Sequence, residues 1–311
     1  ISLDAYYADP LSNIAVAYSM KNDIDKAIES LKGAVRICPN YPEAFNNLGS
    51  LFLQKKAYED AEQALHVATQ LRPYYGKAYY NLARLHEEKG DRNKAWDYLK
   101  RATEGDLDIP EIFFKFGQLS MMLNKYQDAV RAFEIIIQRG AGQNQVWFNL
   151  ANAYFMQERY EKAQPIYEKL VKDNPLDGRY LYNLAETHFV KNDFTSACEL
   201  FKKAASLPQP VGQAFFRTAN CLERMNRTDD AKSLLQQLLT ANAADDFKAA
   251  VKTELARITE SSLHKKIKAG NGTIKLSELK RELAVHGGFK VDEKSVQVKE
   301  QNKKHKQVRT S

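Results

Sequence analysis

The chain has 311 residues, of which 44% are hydrophobic and 27% charged, and its mean hydropathy is -0.54. It contains no run of about 18 apolar residues, so the sequence predicts no membrane-spanning helix. The net charge is +7, but residues 261–311 hold 13 Lys and Arg against 5 Asp and Glu. Residues 1–260 are therefore close to neutral, and a nucleic-acid-binding surface along them is disfavoured.

The chain opens with a short piece that fits the register of the repeats that follow it. Residues 1–7 fall at positions 28–34 of that register. They are predicted to be the end of the second helix of an upstream repeat, and the native gene is expected to encode at least one more repeat before Ile1.

Residues 8–245 divide into seven segments of 34 residues without an insertion, at 8–41, 42–75, 76–109, 110–143, 144–177, 178–211 and 212–245. Position 20 is alanine in every segment, and position 8 is alanine or glycine. Large apolar residues recur at positions 4, 7 and 24, on the same helix faces. Because two helices approach closely only where side chains are small, the pattern predicts two helices per segment, stacked as an all-α solenoid.

The C-terminal part departs from the repeat pattern. Residues 246–260 keep an apolar helical face but lack the small residues at the crossing positions, which predicts a capping helix. Residues 261–311 are predicted to be a basic, largely disordered tail with one short amphipathic helix at 277–285. Two interpretations of this tail stay open: it is a solvated end without a partner, or it contacts an acidic partner, an anionic surface or nucleic acid.

The repeat columns resemble the tetratricopeptide repeat (TPR) family. Its pattern has a bulky residue at 4, Leu at 7, a small residue at 8, Tyr at 11, Ala at 20, Phe or Tyr at 24, Ala at 27 and Pro at 32. Repeats two and five match it best, whereas Ala5 replaces the proline that would end the piece at 1–7. The resemblance implies a right-handed superhelix of helix-turn-helix repeats that serves as a scaffold.

Nothing in the sequence indicates catalysis. Nucleotide-binding, nucleophile-elbow and metalloprotease motifs are absent, so no enzyme, cofactor or metal site is predicted. His86 and His188 both fall at position 11, a packing position, where core histidines are expected. The cysteines Cys38, Cys198 and Cys221 have no metal-binding or disulfide spacing, which favours a reducing, cytoplasmic compartment.

The family resemblance also implies which residues line the concave face. Position 6 is asparagine in five repeats and is similar to the asparagine ladder with which some members bind peptide backbones, although Lys115 and Arg217 interrupt it. Positions 5, 12 and 13 add aromatic residues and methionines in repeats four to six, which predicts an apolar floor. The predicted peptide-binding residues are Asn81, Phe114, Met121, Met122, Phe148, Asn149, Asn152, Phe155, Met156, Tyr182, Asn183, Phe189, Phe216 and Arg217.

These features predict a non-enzymatic scaffold that binds a peptide or an amphipathic helix in its concave groove, as a subunit or adaptor of a larger complex. Two alternatives stay open. The array is a rigid spacer that uses its convex face or basic tail, or it is the regulatory region of a larger enzyme. The clamp that some family members use for a free C-terminal carboxylate is not met, because Phe148 and Gln213 stand where that clamp has lysines.

Overall fold

The computed structural model describes residues 3–105, 109–209, 212–240 and 244–268. Within them the chain forms fifteen α-helices and no strand. The helices are α1 Leu3–Met20, α2 Ile24–Ile37, α3 Pro42–Gln54, α4 Tyr58–Leu71, α5 Gly76–Glu88, α6 Arg92–Thr103, α7 Pro110–Met122, α8 Tyr126–Gln138, α9 Asn144–Met156, α10 Tyr160–Asp173, α11 Gly178–Val190, α12 Phe194–Ala205, α13 Gly212–Arg224, α14 Thr228–Thr240 and α15 Asp245–Lys268.

Successive helices pack against each other in pairs, as the 34-residue period predicts. From α3 onwards the first helix of each repeat begins at repeat position 1, and all seven first helices end at position 13. The chain forms two compact units, Ile1–Leu170 and Val171–Ser311. The prediction of an all-α solenoid of helix pairs is confirmed.

The small residues at positions 8 and 20 lie where the two helices of a repeat meet. All seven alanines at position 20, from Ala27 to Ala231, are fully buried. A Cβ added to Gly49 would lie 2.4 Å from Cγ of Leu65, and one added to Gly117 would lie 2.7 Å from the ring of Phe133. The helices are therefore packed too closely at position 8 for a larger side chain.

The turn inside each repeat has one recurring geometry. Position 15 has a left-handed backbone in every repeat, with φ between 58° and 80°, at Asn22, Lys56, Gly90, Asn124, Glu158, Asn192 and Asn226. The next residue donates its backbone N–H to the carbonyl of position 11, as Asp91 does to His86 at 2.8 Å. This bond ends the first helix in a Schellman-type turn, which asparagine and glycine tolerate best.

The two ends of the described chain differ from the predictions. Helix α1 runs without a turn from Leu3 through Pro10 to Met20, whereas the sequence pattern predicts that residues 1–7 end a preceding helix. Helix α15 continues to Lys268, beyond the predicted end at residue 260, because no proline or glycine interrupts it. The predicted helix at 277–285 and the rest of the tail lie outside the described residues.

Replacing Gly117 with alanine tests the close approach of the helices. The new methyl group would meet the buried ring of Phe133, so we expect a loss of about 1–3 kcal/mol in stability despite the better helix propensity of alanine. The midpoint of urea unfolding measures this loss. Gly212→Ala is the control, because an added Cβ there has nothing within 4 Å. Equal midpoints for the two variants would contradict the packing argument.

Candidate functional site

The unit Ile1–Leu170 contains an open groove of about 470 Å³ lined by the first helices of repeats three, four and five together with Phe133 of α8. Its lining residues are Glu87, Lys115, Gln118, Leu119, Met121, Met122, Phe133, Asn149 and Asn152. Four of the predicted binding residues therefore lie together, namely Met121, Met122, Asn149 and Asn152.

The two asparagines of this groove are oriented by neighbouring side chains. Oδ1 of Asn149 accepts a hydrogen bond from Nε2 of Gln145 at 3.1 Å, and Oδ1 of Asn152 accepts one from the hydroxyl of Tyr167 at 2.6 Å. Burial raises the pKa of Tyr167, so its hydroxyl keeps its proton and donates it. Within the described part of the chain neither Nδ2 has a hydrogen-bond partner. Both amides therefore present N–H donors.

The charges that line the groove compensate each other. Nζ of Lys115 lies 3.0 Å from Oε2 of Glu87, and both side chains are partly exposed. An exposed pair of this kind contributes about 0–1 kcal/mol. Gln118, Asn149 and Asn152 are uncharged, so the groove has little net charge.

The methionines supply the accessible apolar surface. The side chain of Met122 is 59% exposed, and Met121 beside it is partly buried. Met156, which holds the same repeat position as Met122 one repeat later, is 48% exposed but lies outside the lining of this groove. Flexible thioether side chains adapt to ligands of different shape, which suits a binding surface.

Most of the predicted aromatic floor is internal packing. The rings at position 5 meet the aromatic ring at position 24 of their own repeat edge to face, with centroids 6.0 Å apart for Phe114 and Phe133 and 6.1 Å for Phe148 and Tyr167. Phe148 is only 8% exposed and is a core residue. Phe155 packs on Tyr160 at 5.3 Å. The assignment of Phe148 to a peptide-binding surface does not agree with this burial.

Asn81 also differs from its predicted placement. It is only 9% exposed, and its Nδ2 donates to Oδ1 of Asn46 at 2.9 Å. Nδ2 of Asn46 in turn donates to Oδ1 of Asn47 at 3.3 Å. Asn81 lines a separate pocket of about 250 Å³ with Lys77 and Tyr80 among its other residues, apart from the methionines.

In the unit Val171–Ser311, the predicted aromatic residues pack in the same way. The ring centroids of Tyr182 and Phe201 are 5.3 Å apart, as are those of Phe189 and Phe194. Burial raises the pKa of Tyr182 to about 12. Phe216 packs on a ring of α15 at 5.7 Å.

The polar residues predicted in this unit are engaged inside the protein. The guanidinium of Arg217 donates two hydrogen bonds to Glu186 and lies 4.2 Å from the ring centroid of Phe189. Burial disfavours the charged form of Arg217, but the hydrogen bonds to Glu186 favour that form and raise the pKa above its usual value. Nδ2 of Asn183 donates to the backbone carbonyl of Arg179 at 3.0 Å. The bonds to Glu186 and to the carbonyl of Arg179 orient Arg217 and Asn183 within the protein and occupy part of their hydrogen-bonding groups.

Sequence reasoning missed some contributors to the groove. Gln118 at position 9 was not among the predicted residues, and Tyr167 was counted only as a core residue although it orients Asn152. The signal for Tyr167 was available in the sequence, since position 24 is leucine in four of the seven repeats and tyrosine only there.

Three further observations concern the described residues. No group of three or more His, Cys, Asp or Glu side chains among them is placed to hold a metal ion. None of the helices found there is both long and apolar enough to cross a bilayer. Cys38, Cys198 and Cys221 are free and buried.

Comparison with protein families identifies the repeats. Models of the tetratricopeptide repeat match residues 17–56, 76–106 and 114–163, and a model of anaphase-promoting complex, cyclosome, subunit 3 matches residues 144–238. This chain belongs to the tetratricopeptide repeat family. No curated protein sequence matches it.

Several solved structures match this chain, and the first of them shares its fold. The structure of Naa15/Naa10 bound to HypK-THB matches 82% of this chain with a TM-score of 0.63 at 14% identity, and this chain covers 39% of the chain it matches. A tetratricopeptide repeat protein from Parabacteroides merdae ATCC 43184 matches 80% of this chain and 98% of its own at 18% identity, with a TM-score of 0.46. YrrB, a TPR protein with an unusual peptide-binding site, matches 57% of this chain and 91% of its own at 22% identity, also with a TM-score of 0.46.

At 14% identity the similarity to the first of these structures is one of fold alone. A TPR solenoid is typically a non-catalytic scaffold for interactions with proteins or peptides, in which stacked helix pairs present an extended surface.

The burial of Phe148 leads to a prediction about stability. Phe148→Ala would leave a cavity beside Tyr167, so we expect a loss of about 3–5 kcal/mol, measured by chemical unfolding. Met156→Ala removes a half-exposed side chain of the neighbouring surface, and we expect it to cost less than about 1 kcal/mol. A loss for Phe148→Ala as small as that for Met156→Ala would show that the ring is not a core residue.

Proposed function

We propose that this protein is an interaction scaffold that binds a peptide or an amphipathic helix in the groove lined by Met121, Met122, Asn149 and Asn152. It would act as a subunit or adaptor of a larger complex. The observation that carries the proposal is the combination of the exposed thioether of Met122, beside the partly buried Met121, with two amide N–H groups that have no partner among the described residues.

The chemistry of the groove favours an uncharged, apolar segment as its ligand. The methionine side chains offer apolar contact, and the amide N–H groups of Asn149 and Asn152 pair with carbonyl oxygens of a ligand. Lys115 and Glu87 already pair with each other, so a charged group of a ligand would have to replace one of them in this pair. A strongly charged peptide would therefore gain little here.

The double substitution Met121→Ala and Met122→Ala tests the proposal. The probe is a peptide selected with the wild-type protein from a displayed library of short random sequences, and its affinity is measured by fluorescence anisotropy. Loss of the apolar anchors should weaken binding by about tenfold or more. Asn149→Ala should weaken it further, because a donor to the peptide backbone is lost.

The matched control is Val16→Ala with Met20→Ala. These two side chains are also exposed and apolar, but they lie on α1, away from the groove. This variant should bind the selected peptide like the wild type. If the methionine variant keeps both its helicity and its full affinity, the proposed site is wrong.

A further inference from the structure

His86 has an unusual environment within the described residues. It lies on the last turn of α5 and is 3% exposed. Among the side-chain nitrogen and oxygen atoms of the described residues, its Nε2 is buried without a hydrogen-bond partner. A buried polar group without a partner costs about 1–3 kcal/mol, so its presence needs an explanation. The ring stacks on Tyr98 of α6, with centroids 5.3 Å apart.

A carboxylate lies just outside hydrogen-bond distance of this nitrogen. Oε1 of Glu62, on α4, is 3.5 Å from Nε2 of His86. Lys89 holds the same carboxylate, with Nζ 3.0 Å from its other oxygen. Burial opposes the charge of Glu62, but the hydrogen bond from Lys89 lowers its pKa, so the carboxylate is ionised at neutral pH. The contact between His86 and Glu62 joins the second repeat to the third.

We propose that the buried position of His86 makes the packing between the second and third repeats acid-sensitive: this packing is stable while His86 is neutral and loosens when His86 takes up a proton, because Glu62 offsets only part of the cost of a buried charge. A proton on Nε2 would place a charge in a site closed to water, beside an anion that Lys89 already neutralises.

The other charged groups around His86 do not make protonation of the buried ring favourable. Helix α4 contributes Glu62 and His66, and α5 ends beside Lys89. From α6 and its N-cap come Lys94 and Asp91, which pair with each other at 3.8 Å, and the ring of Tyr98. The charged residue of α3, Glu43, pairs with Arg72.

The direction of the pH effect follows from the sign of the shift. Burial lowers the pKa of His86 below its usual value, although Glu62 raises it in part. The unfolded chain then binds this proton more tightly than the folded one, so acidification favours unfolding. The contribution is fully present above the unfolded pKa of about 6.5 and is lost as the pH falls towards the folded pKa.

Trp96 provides a local probe. It lies on α6 and is buried, and the chain has two tryptophans, so Trp147→Phe leaves Trp96 as the single reporter. The experiment compares urea unfolding, followed by Trp96 fluorescence, at about pH 7.5 and pH 5.5. Acidification should raise the equilibrium constant for unfolding in both Trp147→Phe and the double variant Trp147→Phe with His86→Phe. We expect the increase to be about threefold to tenfold larger in the variant that keeps His86.

Two further variants keep the test decisive. His86→Tyr, which places at position 11 the residue found there in repeats one and five, should remove the acid response as His86→Phe does. Glu62→Gln should preserve or enlarge the response, because the anion that favours protonated His86 is gone.

The proposal is overturned if the variants at His86 keep the full acid response, or if acidification stabilises the region around Trp96. It is also overturned if Glu62→Gln abolishes the response, since the titrating group would then be the carboxyl group.

Discussion

The structure depends on the close approach of two helices at one small residue in each. Alanine at position 20 is fully buried in all seven repeats, and position 8 is either a buried alanine or a glycine at which an added Cβ has no room. This contact fixes the distance between the two helices, and the left-handed residue at position 15 fixes the length of the turn between them. Because the helix distance and the turn length are set within each repeat, positions 6, 9, 12 and 13 of the first helix lie on the same side in every repeat. Neighbouring first helices can therefore form a groove with these positions.

Aromatic residues modify this common plan in repeats four to six. Where position 24 is Phe or Tyr instead of Leu, the ring reaches the aromatic residue at position 5 of the same repeat and packs on it edge to face. Such pairs contribute about 0.5–1.5 kcal/mol beyond their buried area. The aromatic pairs thus strengthen each repeat from within, and the contact with ligands is left to the side chains beyond them, the methionines and the asparagines.

The fold was predictable from the sequence because small and large residues recur with a strict period, and helix packing responds to residue size. The groove was predictable only in part. The period assigns Phe148 and Asn149 to the same side of α9, but whether a ring is buried depends on the size of its neighbour on α10, here Tyr167. Likewise, the neighbours of an asparagine decide which of its amide atoms stays available to a ligand. Tyr167 donates to Oδ1 of Asn152 and leaves its Nδ2 available, whereas Oδ1 of Asn46 accepts a hydrogen bond from Nδ2 of Asn81. These are contacts between particular side chains, which a column of equivalent positions does not contain.

Position 11 shows how one substitution changes the chemistry of a repeated contact. In repeat five this position is Tyr154, whose hydroxyl donates to Glu134 on the second helix of the preceding repeat. Burial and this hydrogen bond raise its pKa to about 12, so the bond persists over the whole physiological range. In repeat three the same position is His86, which faces Glu62 on the corresponding helix without a hydrogen bond. A phenol at this place gives a contact that does not respond to pH, whereas an imidazole takes up a proton in acid, and burial lowers the pKa at which His86 does so. Position 11 therefore contacts the preceding repeat with different chemistry in different repeats, and the contact between repeats two and three is the one for which we propose an acid response.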